Sequence, residues 1–504
     1  MKKLLLFTIG AIYSIHTIAQ TTYTVSPSGT NSGTSWKTIK LAMAAAVSGD
    51  IIEVSAGTFT ESAIVWSLKS LTIKGAGMNQ TIIDGGALNN IFVLDGAYTS
   101  NNTITIQDMT IQNGKKTSSA GTAIRLKNTG NALTTLNLTN LKIINNNGSG
   151  GVYASGAILT VTGCYITGNT QTSDATSAGG GITVTGLAGF PLIVSIKNST
   201  IANNSSIGSG GAIAAICAAN GSTGVTNSLT IENSTIYGNT VVTTANRTGS
   251  GVNFRTVTTS QTTAPTNNLT INYCTIANNT NTTGTGTGAD GVSIDNSGAY
   301  ATNLVMNNSI VMGNSGSATN ASQVGTSNSD PSTLGKIAVP TAITNSIFGI
   351  ISGGIWVTTV NNNKLDAIIG DLAFDAALST DAVPVLKIGT TSIAKDYVTN
   401  NQLTSITTDE LGFTRDAKPD AGAYENPIFS AINTVNLDAN VKLNGRTIRI
   451  QGISGTVTIY NTIGEIIASQ KIIENGLITI NKPDVYIVKI NTGDKLYNCK
   501  LLVR

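Results

Sequence analysis

One phrase occurs five times along this chain, and it limits the architecture more than any other feature. Leu159-Thr-Val-Thr-Gly-Cys-Tyr-Ile-Thr-Gly-Asn169 recurs as Val194-Ser-Ile-Lys-Asn-Ser-Thr-Ile-Ala-Asn-Asn204 and Leu229-Thr-Ile-Glu-Asn-Ser-Thr-Ile-Tyr-Gly-Asn239. It comes back as Leu269-Thr-Ile-Asn-Tyr-Cys-Thr-Ile-Ala-Asn-Asn279 and Leu304-Val-Met-Asn-Asn-Ser-Ile-Val-Met-Gly-Asn314. The closing asparagines are 35, 35, 40 and 35 residues apart. A fixed period of this size describes stacked units, none of which buries its apolar side alone. Within each phrase apolar residues alternate with Thr, as at Leu229, Ile231 and Ile236, around an Asn233-Ser234 corner. Alternation at period two is a strand signal. A third short strand follows each phrase: Gly179–Thr185, Gly210–Ile213, Gly251–Arg255 and Gly291–Asp295. No amphipathic helical pattern separates them, which excludes βαβ units. The fold class is therefore all-β: a parallel β-helix with three strands per coil, right-handed because parallel crossovers have that hand.

Asparagine suits the strand ends, since it tolerates left-handed backbone and bonds its own turn. Stacked coil on coil, Asn169, Asn204, Asn239, Asn279 and Asn314 form an amide ladder. They read as architecture before they read as a binding row. Roughly ten coils at about 4.8 Å make a rod about 50 Å long. Its open strand edges need covering. The stretch Thr34–Val47 is the one good helical run near the start, with Thr34 or Ser35 as N-cap, and reads as the N-terminal cap of the rod.

The chain begins Met1-Lys2-Lys3, runs apolar from Leu4 to Ile15 and reaches Thr17-Ile18-Ala19 before Gln20. That is a secretory signal peptide, residues 1–19, too short to span a membrane. No other segment approaches transmembrane length, so the expected location is secreted or on the outer cell surface. The signal holds the only histidine, His16. Its loss removes His-ligated zinc, Ser-His-Asp triads and His general bases. Net charge is +3, or +1 once Lys2 and Lys3 leave, and charged residues are 11% of the chain. Nucleic-acid binding needs a concentrated basic patch and is excluded as a partner class. Of four cysteines, Cys164 and Cys274 share a corner position filled by Ser199, Ser234 and Ser309 elsewhere. Three coils, about 14 Å, separate them, beyond disulfide reach. These two, with Cys217 and Cys499, read as buried unpaired thiols.

Residues 441–504 leave the repeat. Val457–Ile467, Gly476–Ile480, Asp484–Ile490 and Lys500–Arg504 alternate as strands of a small antiparallel β-sandwich, after a linker over 428–440 opened by Pro427. The Ile-Tyr-x-x-x-Gly phrase, the x-Tyr-Ile-Val-x-Ile strand and the terminal Lys-Leu-Leu-Val-Arg resemble the C-terminal sorting domain of cargo of the type IX secretion system of Bacteroidetes. Asp484 stands where that family usually has Gly. The resemblance implies type IX machinery as a partner and delivery across the outer membrane. The body, residues 20–427, resembles the pectin-lyase-like β-helix superfamily. Trp36–Ile39, Ala42, Gly49–Val54 and Gly57–Phe59 match that family's N-terminal cap and first coil. The Gly-Gly-Ala-Ile213 and Ile-x-x-Asn204 pairing is similar to repeats of bacterial polymorphic surface proteins. Ser392–Asp396, Leu411–Arg415 and Asp420–Glu425 are similar to a closing motif of exported Bacteroidetes β-helix proteins. Arg415, Asp420, Tyr424 and Glu425 are read as a structural closure, with any ion pair there screened by solvent.

The lyases of the superfamily remove a proton beside a uronic carboxylate, using a Lys or Arg base and Ca²⁺ or a polar neutraliser. With Ile124, Ile182, Ile213, Val252 and Val292 inward, Arg125, Thr183, Ala214, Asn253 and Ser293 share an outward column. The next holds Lys127, Thr185, Ile216, Arg255 and Asp295. Arg255 and Asp295 are then neighbours, with Asn253 beside them and Asp290 in the preceding loop. Arg255 is a candidate base or anion clamp. Asp290 and Asp295 are candidates for binding Ca²⁺ or orienting sugar hydroxyls. The plainer reading is a salt bridge between adjacent strands. The polygalacturonase-type three-aspartate arrangement, calcium-binding nonapeptides and EF-hand loops are absent from the sequence, and no cofactor is called for outside the lyase reading. The functional expectation is a solenoid of the adhesin or binding class, presenting a polar face to polysaccharide or surface glycan. A polysaccharide lyase and a structural spacer are the alternatives.

Overall fold

The computed structural model describes residues 20–426 and 441–503, apart from 67, 117–120, 174–177, 188, 219–224, 243–248, 258–264, 283–288, 297–301, 317–322, 327–341, 350–360, 401, 445, 463–464, 483 and 492–495. The proposed signal peptide and linker lie outside the described residues. The chain divides into two units, Met1–Asn426 and Pro427–Arg504.

The first unit starts with Thr22–Val25, which pairs in parallel with Ile51–Val54 and with Ser35–Trp36. That last pairing takes Ser35 and Trp36 into the sheet, so the expected helix over 34–47 shortens to Ile39–Ala45. Its N-cap is Thr38, not Thr34 or Ser35, and the Thr38 side chain accepts from Leu41 N. Glu61 accepts from the Ile39 and Lys40 amides at 2.8 and 3.3 Å. The helix buries Ile39, Ala42 and Met43 against the core.

From there the chain coils, each turn pairing in parallel with the next at constant register. Leu229 lies over Leu269 and Leu269 over Leu304, while Ile231, Ile271 and Met306 form the adjoining inward column. All six are fully buried. Right-handed winding is the hand that such parallel crossovers favour. Third strands stack nine deep, from Ile64–Val65 to Val324–Thr326. A fourth ladder of two-residue strands, Asn147–Gly148 to Thr280–Asn281, follows the closing asparagines.

The amide ladder forms as the repeat requires. Asn169 Nδ2 donates to Asn204 Oδ1, Asn204 to Asn239, Asn239 to Asn279 and Asn279 to Asn314, at 2.8–2.9 Å. Each acceptor oxygen also takes the backbone N–H of the previous ladder residue. Asn146 extends the ladder at one end and Gln323 at the other. The left-handed turn belongs to the residue before each ladder asparagine: Gly168, Asn203, Gly238, Asn278 and Gly313 all have φ near +60°. Turn-making and amide-bonding are thus split between two adjacent positions. The Ser/Cys corner forms a second ladder, in which the Cys164 amide donates to Ser199 Oγ and that of Ser199 to Ser234 Oγ. Cys164, Cys217 and Cys274 are free, buried thiols. The Cys499 side chain lies outside the described residues.

After the last coils the chain turns back. Residues 361–364 still pair with the coil at Asn345–Phe348, and residues 366–400 and 402–426 then run as a strap over the outer face of the second strands, from Asn345 back to Thr200. The strap buries Leu372, Val385, Ile388, Ala394 and Ala421 against Ile310, Met312 and Ile347.

The second unit is a small antiparallel sandwich. Val441–Asn444, Thr447–Gln451 and Asn475–Thr479 make one sheet. Ile466–Ile472, Gly455–Tyr460, Asp484–Asn491 and Leu496–Val503 make the other. Ile448, Ile450, Val457, Ile459, Val488 and Ile490 fill the space between them. Among the described residues no helix is long and apolar enough to cross a membrane.

Candidate functional site

The third-strand sheet places the sequence candidates on one face but disperses their chemistry. Asn253 pairs with Ser293 and Arg255 with Asp295. Arg255 Nε lies 3.4 Å from Asp295 Oδ2, both side chains about a quarter exposed (25% and 24%). The strand Val152–Ser155 enters the stack between the first two aligned strands, so Tyr153 follows Arg125 and Ser155 follows Lys127 in the columns. The outward column is also covered, contrary to expectation: Thr183, Ala214, Asn253 and Ser293 are buried. Gly179 N, for instance, donates to Thr183 Oγ1 at 2.8 Å, where the preceding turn folds over the strand. Asp290 is buried as well, in the register held by Gly180, Gly211 and Ser250 in earlier coils. Its carboxylate sits where a Cβ on Gly316 would lie 2.3 Å from Oδ2. Burial pushes the Asp290 acid up to about 7.

The four candidates therefore resolve into a cross-strand ion pair and two buried side chains. Ca²⁺ needs six to eight converging oxygens. With Asp295 held by Arg255 and Asp290 packed against Gly316, this set does not fit the ion. Among the described residues no group of three or more His, Cys, Asp or Glu side chains could hold a metal.

Polar chemistry gathers instead where the first strands end. Thr139, Thr162, Lys197, Glu232, Asn272, Asn307 and Thr344 stack in one outward column. Lys197 Nζ meets Glu232 Oε2 at 2.8 Å, Asn307 donates to Asn272 Oδ1 at 3.1 Å, and Thr344 donates to Asn307 at 2.8 Å. Two residues earlier stand Thr72, Thr105, Asn137, Thr160, Ser195, Thr230 and Thr270, all half-buried. The next position is the corner: Asp108, Asn140, Gly163, Asn198, Asn233, Tyr273, Asn308 and Asn345, every one at φ between +47° and +63°.

The strap closes over this corner. Arg415 donates to Glu425 Oε2 at 3.1 Å and to Asn233 Oδ1 and Gly422 O at 2.9 Å, and its guanidinium lies 3.8 Å from the Tyr273 ring centre. Both side chains of the Arg415–Glu425 pair are 2% exposed, so the expected solvent-screened pair is in fact buried. Screening fails there because the strap and the corner exclude water from both sides. Glu410 accepts from Thr200 Oγ1 at 2.7 Å and Thr235 Oγ1 at 2.6 Å, bridging two coils. Burial pushes Glu410 up to about 8 and Glu425 to about 7.

Two openings remain along the strap's border. One, of about 510 Å³, is lined by Met78, Asp108, Asn140, Gly163, Asn198 and Leu411, among others. The second, about 170 Å³, continues past Asn198 to Lys197, Glu232, Asn233 and Thr407. Sequence reading passed over this groove. Lys197 and Glu232 were legible, since they hold one register in successive phrases. The strap wall was not, because residues some 200 positions apart meet there.

No protein-family model matches the chain, and no curated protein matches it. Among solved structures, the crystal structure of pectate lyase Pel9A is similar at 15% sequence identity and a TM-score of 0.38, covering 81% of this chain and 97% of that one. The strand registers, rather than this likeness, establish the parallel β-helix.

Proposed function

We propose that the protein is an exported solenoid that binds polysaccharide or another surface polymer, in the adhesin or binding class. The supporting observation is the groove at the strap's border, of mixed polar and apolar lining at its larger opening and polar at its smaller one, which runs across successive coils in the direction of stacking. A linear polymer laid along the coils meets a new set of Asn, Thr or charged side chains about every 4.8 Å. Sugars are bound by such oriented hydroxyl, amide and carboxylate groups. Arg255 argues against the lyase alternative: a proton-abstracting base must reach substrate, and this guanidinium is engaged by Asp295. Delivery to the cell surface by type IX secretion belongs to the same proposal. It rests on the sequence of residues 441–504.

The test is electrophoresis of the full chain through gels containing neutral and uronic-acid polysaccharides. Ultraviolet absorbance of the same mixtures, with and without Ca²⁺, is followed in parallel. Retardation in at least one gel without rising absorbance is expected. Absorbance growth that is lost in Arg255→Ala would establish a lyase. Free migration in every gel, with no absorbance change, would leave a structural spacer.

A further inference from the structure

The larger opening differs from the rest of the groove in its charge and its walls. Its volume, about 510 Å³, falls in the range of small-molecule sites, roughly 300–1,000 Å³. Gly163 interrupts the corner column: Asn140 and Asn198 carry side chains on either side, and Gly163 does not, so that the Asn140 amide lies over it. The strap supplies the opposite wall through Val383 and Leu411. Asp108 faces this space with its carboxylate fixed. Asn140 Nδ2 donates to Oδ1 at 3.1 Å and Gln107 Nε2 to Oδ2 at 2.9 Å. Each oxygen accepts one amide and keeps capacity for a second donor. No Lys or Arg is among the lining residues. Glu410, also at the wall, turns its oxygens to Thr200 and Thr235.

Resting on the polymer-binding reading, we infer that this opening seats one or two units of a neutral hexopyranose polymer and rejects uronates. Paired ring hydroxyls donate to the two Asp108 oxygens. Asn140 and Asn198 serve neighbouring hydroxyls, and the apolar C–H face of the ring lies on Met78 and Leu411. A uronate brings a carboxylate toward Asp108 with no lining cation to compensate, and such like-charge juxtaposition is how a site excludes a competitor. Lys197 lies in the smaller opening, beyond Asn198, and is already paired with Glu232.

The full chain and two variants decide this in gels of soluble β-glucan, galactomannan and polygalacturonate. Gly163→Asn installs the residue that neighbouring corners carry. Gly163 has φ +63°, which Asn tolerates, and the new Cβ would lie 2.6 Å from Asn140 Oδ1, so the flexible Asn140 amide must shift and its bond to Asp108 shifts with it. Asp108→Asn keeps shape and φ preference but removes the charge. The unmodified chain is expected to be retarded by a neutral polymer and not by polygalacturonate. Gly163→Asn should weaken neutral binding about tenfold, and Asp108→Asn by a similar factor, since a hydrogen bond to a charged group is lost. Asp108→Asn should also let polygalacturonate bind. Unfolding midpoints unchanged from the parent would show that both variants fold. Neutral retardation undiminished in both variants would overturn this site while leaving polymer binding intact. Preference of the unmodified chain for polygalacturonate would overturn the neutral-sugar assignment. Free migration in all three gels would overturn the binding reading itself, and this inference with it.

Discussion

At the scale of single residues, each ladder asparagine serves at least three neighbours. Asn239 Oδ1 accepts both the backbone and the amide N–H of Asn204, and its own Nδ2 donates to Asn279 and to Ile201 O. Asn239→Ala leaves two buried donors of Asn204 without that acceptor, at about 1–3 kcal/mol for each stranded group. Equilibrium unfolding in denaturant should show a loss of that order, and a loss under 0.5 kcal/mol would mean that the ladder contributes no stability. The thiols make a second residue-scale case. Burial pushes Cys164 up to about 12 and raises Cys217 and Cys274 further. A thiol-reactive reagent at pH 8 should leave all three unmodified in the folded chain and label them after denaturation, read by peptide mass.

At the scale of elements, the strap shows how a segment without regular structure is held. Its backbone makes few strand pairings, so side chains anchor it: Glu410 on two threonines, Asn233 on Thr408 O, and Arg415 on Glu425, Asn233 and Tyr273. Removing one member of a buried ion pair leaves the other charge uncompensated. Arg415→Ala should therefore destabilise by about 3–5 kcal/mol. Arg415→Lys should recover only part of that, because an ammonium replaces neither the fork nor the stacking on Tyr273. Denaturant midpoints of the two variants check the order. Full recovery by lysine would reduce the cluster to point charge alone.

At the scale of the molecule, buried carboxyls of the strap and of the third-strand sheet tie stability to pH. Burial raises the acids of Glu410, to about 8, and of Glu425 and Asp290, each to about 7, from ordinary values near 4. The folded state then holds protons that the unfolded chain releases. This contribution is complete below the unfolded values, diminishes as pH rises, and is gone above about pH 8. Unfolding midpoints should fall between pH 5 and pH 8, and Glu410→Gln should flatten the slope. A midpoint that rises across this window would show that the carboxyls are ionised and well paired in the fold.

Much of this architecture is readable in one dimension because a solenoid makes its long-range contacts at a fixed sequence interval. The 35-residue spacing that aligns Asn169 with Asn204 in the sequence is the spacing of their hydrogen bond. The same logic placed Arg255 beside Asp295 and kept Cys164 apart from Cys274. Alternation also gave the inward columns, since side-chain direction in a strand follows from parity. Exposure did not follow from parity. Asn253 points away from the core and is buried all the same, with Gly249 of the preceding turn packed against its Cβ. The helix was misplaced for a related reason: Thr34–Val47 has helical propensity throughout, but pairing with Thr24 and Val25 claimed Ser35 and Trp36.

Sequence alone thus determined the coil, its period, its asparagine ladder and the register of the five recurring phrases, because each depends on contacts one period away. Only the tertiary structure decided where the groove lies, because the strap obeys no period. Glu410 meets Thr200 across 210 positions and Arg415 meets Asn233 across 182. No local or repeating pattern encodes such distances. They arise from the packing of an irregular chain on the face where Ile310, Met312 and Ile347 point apolar side chains outward from the coil.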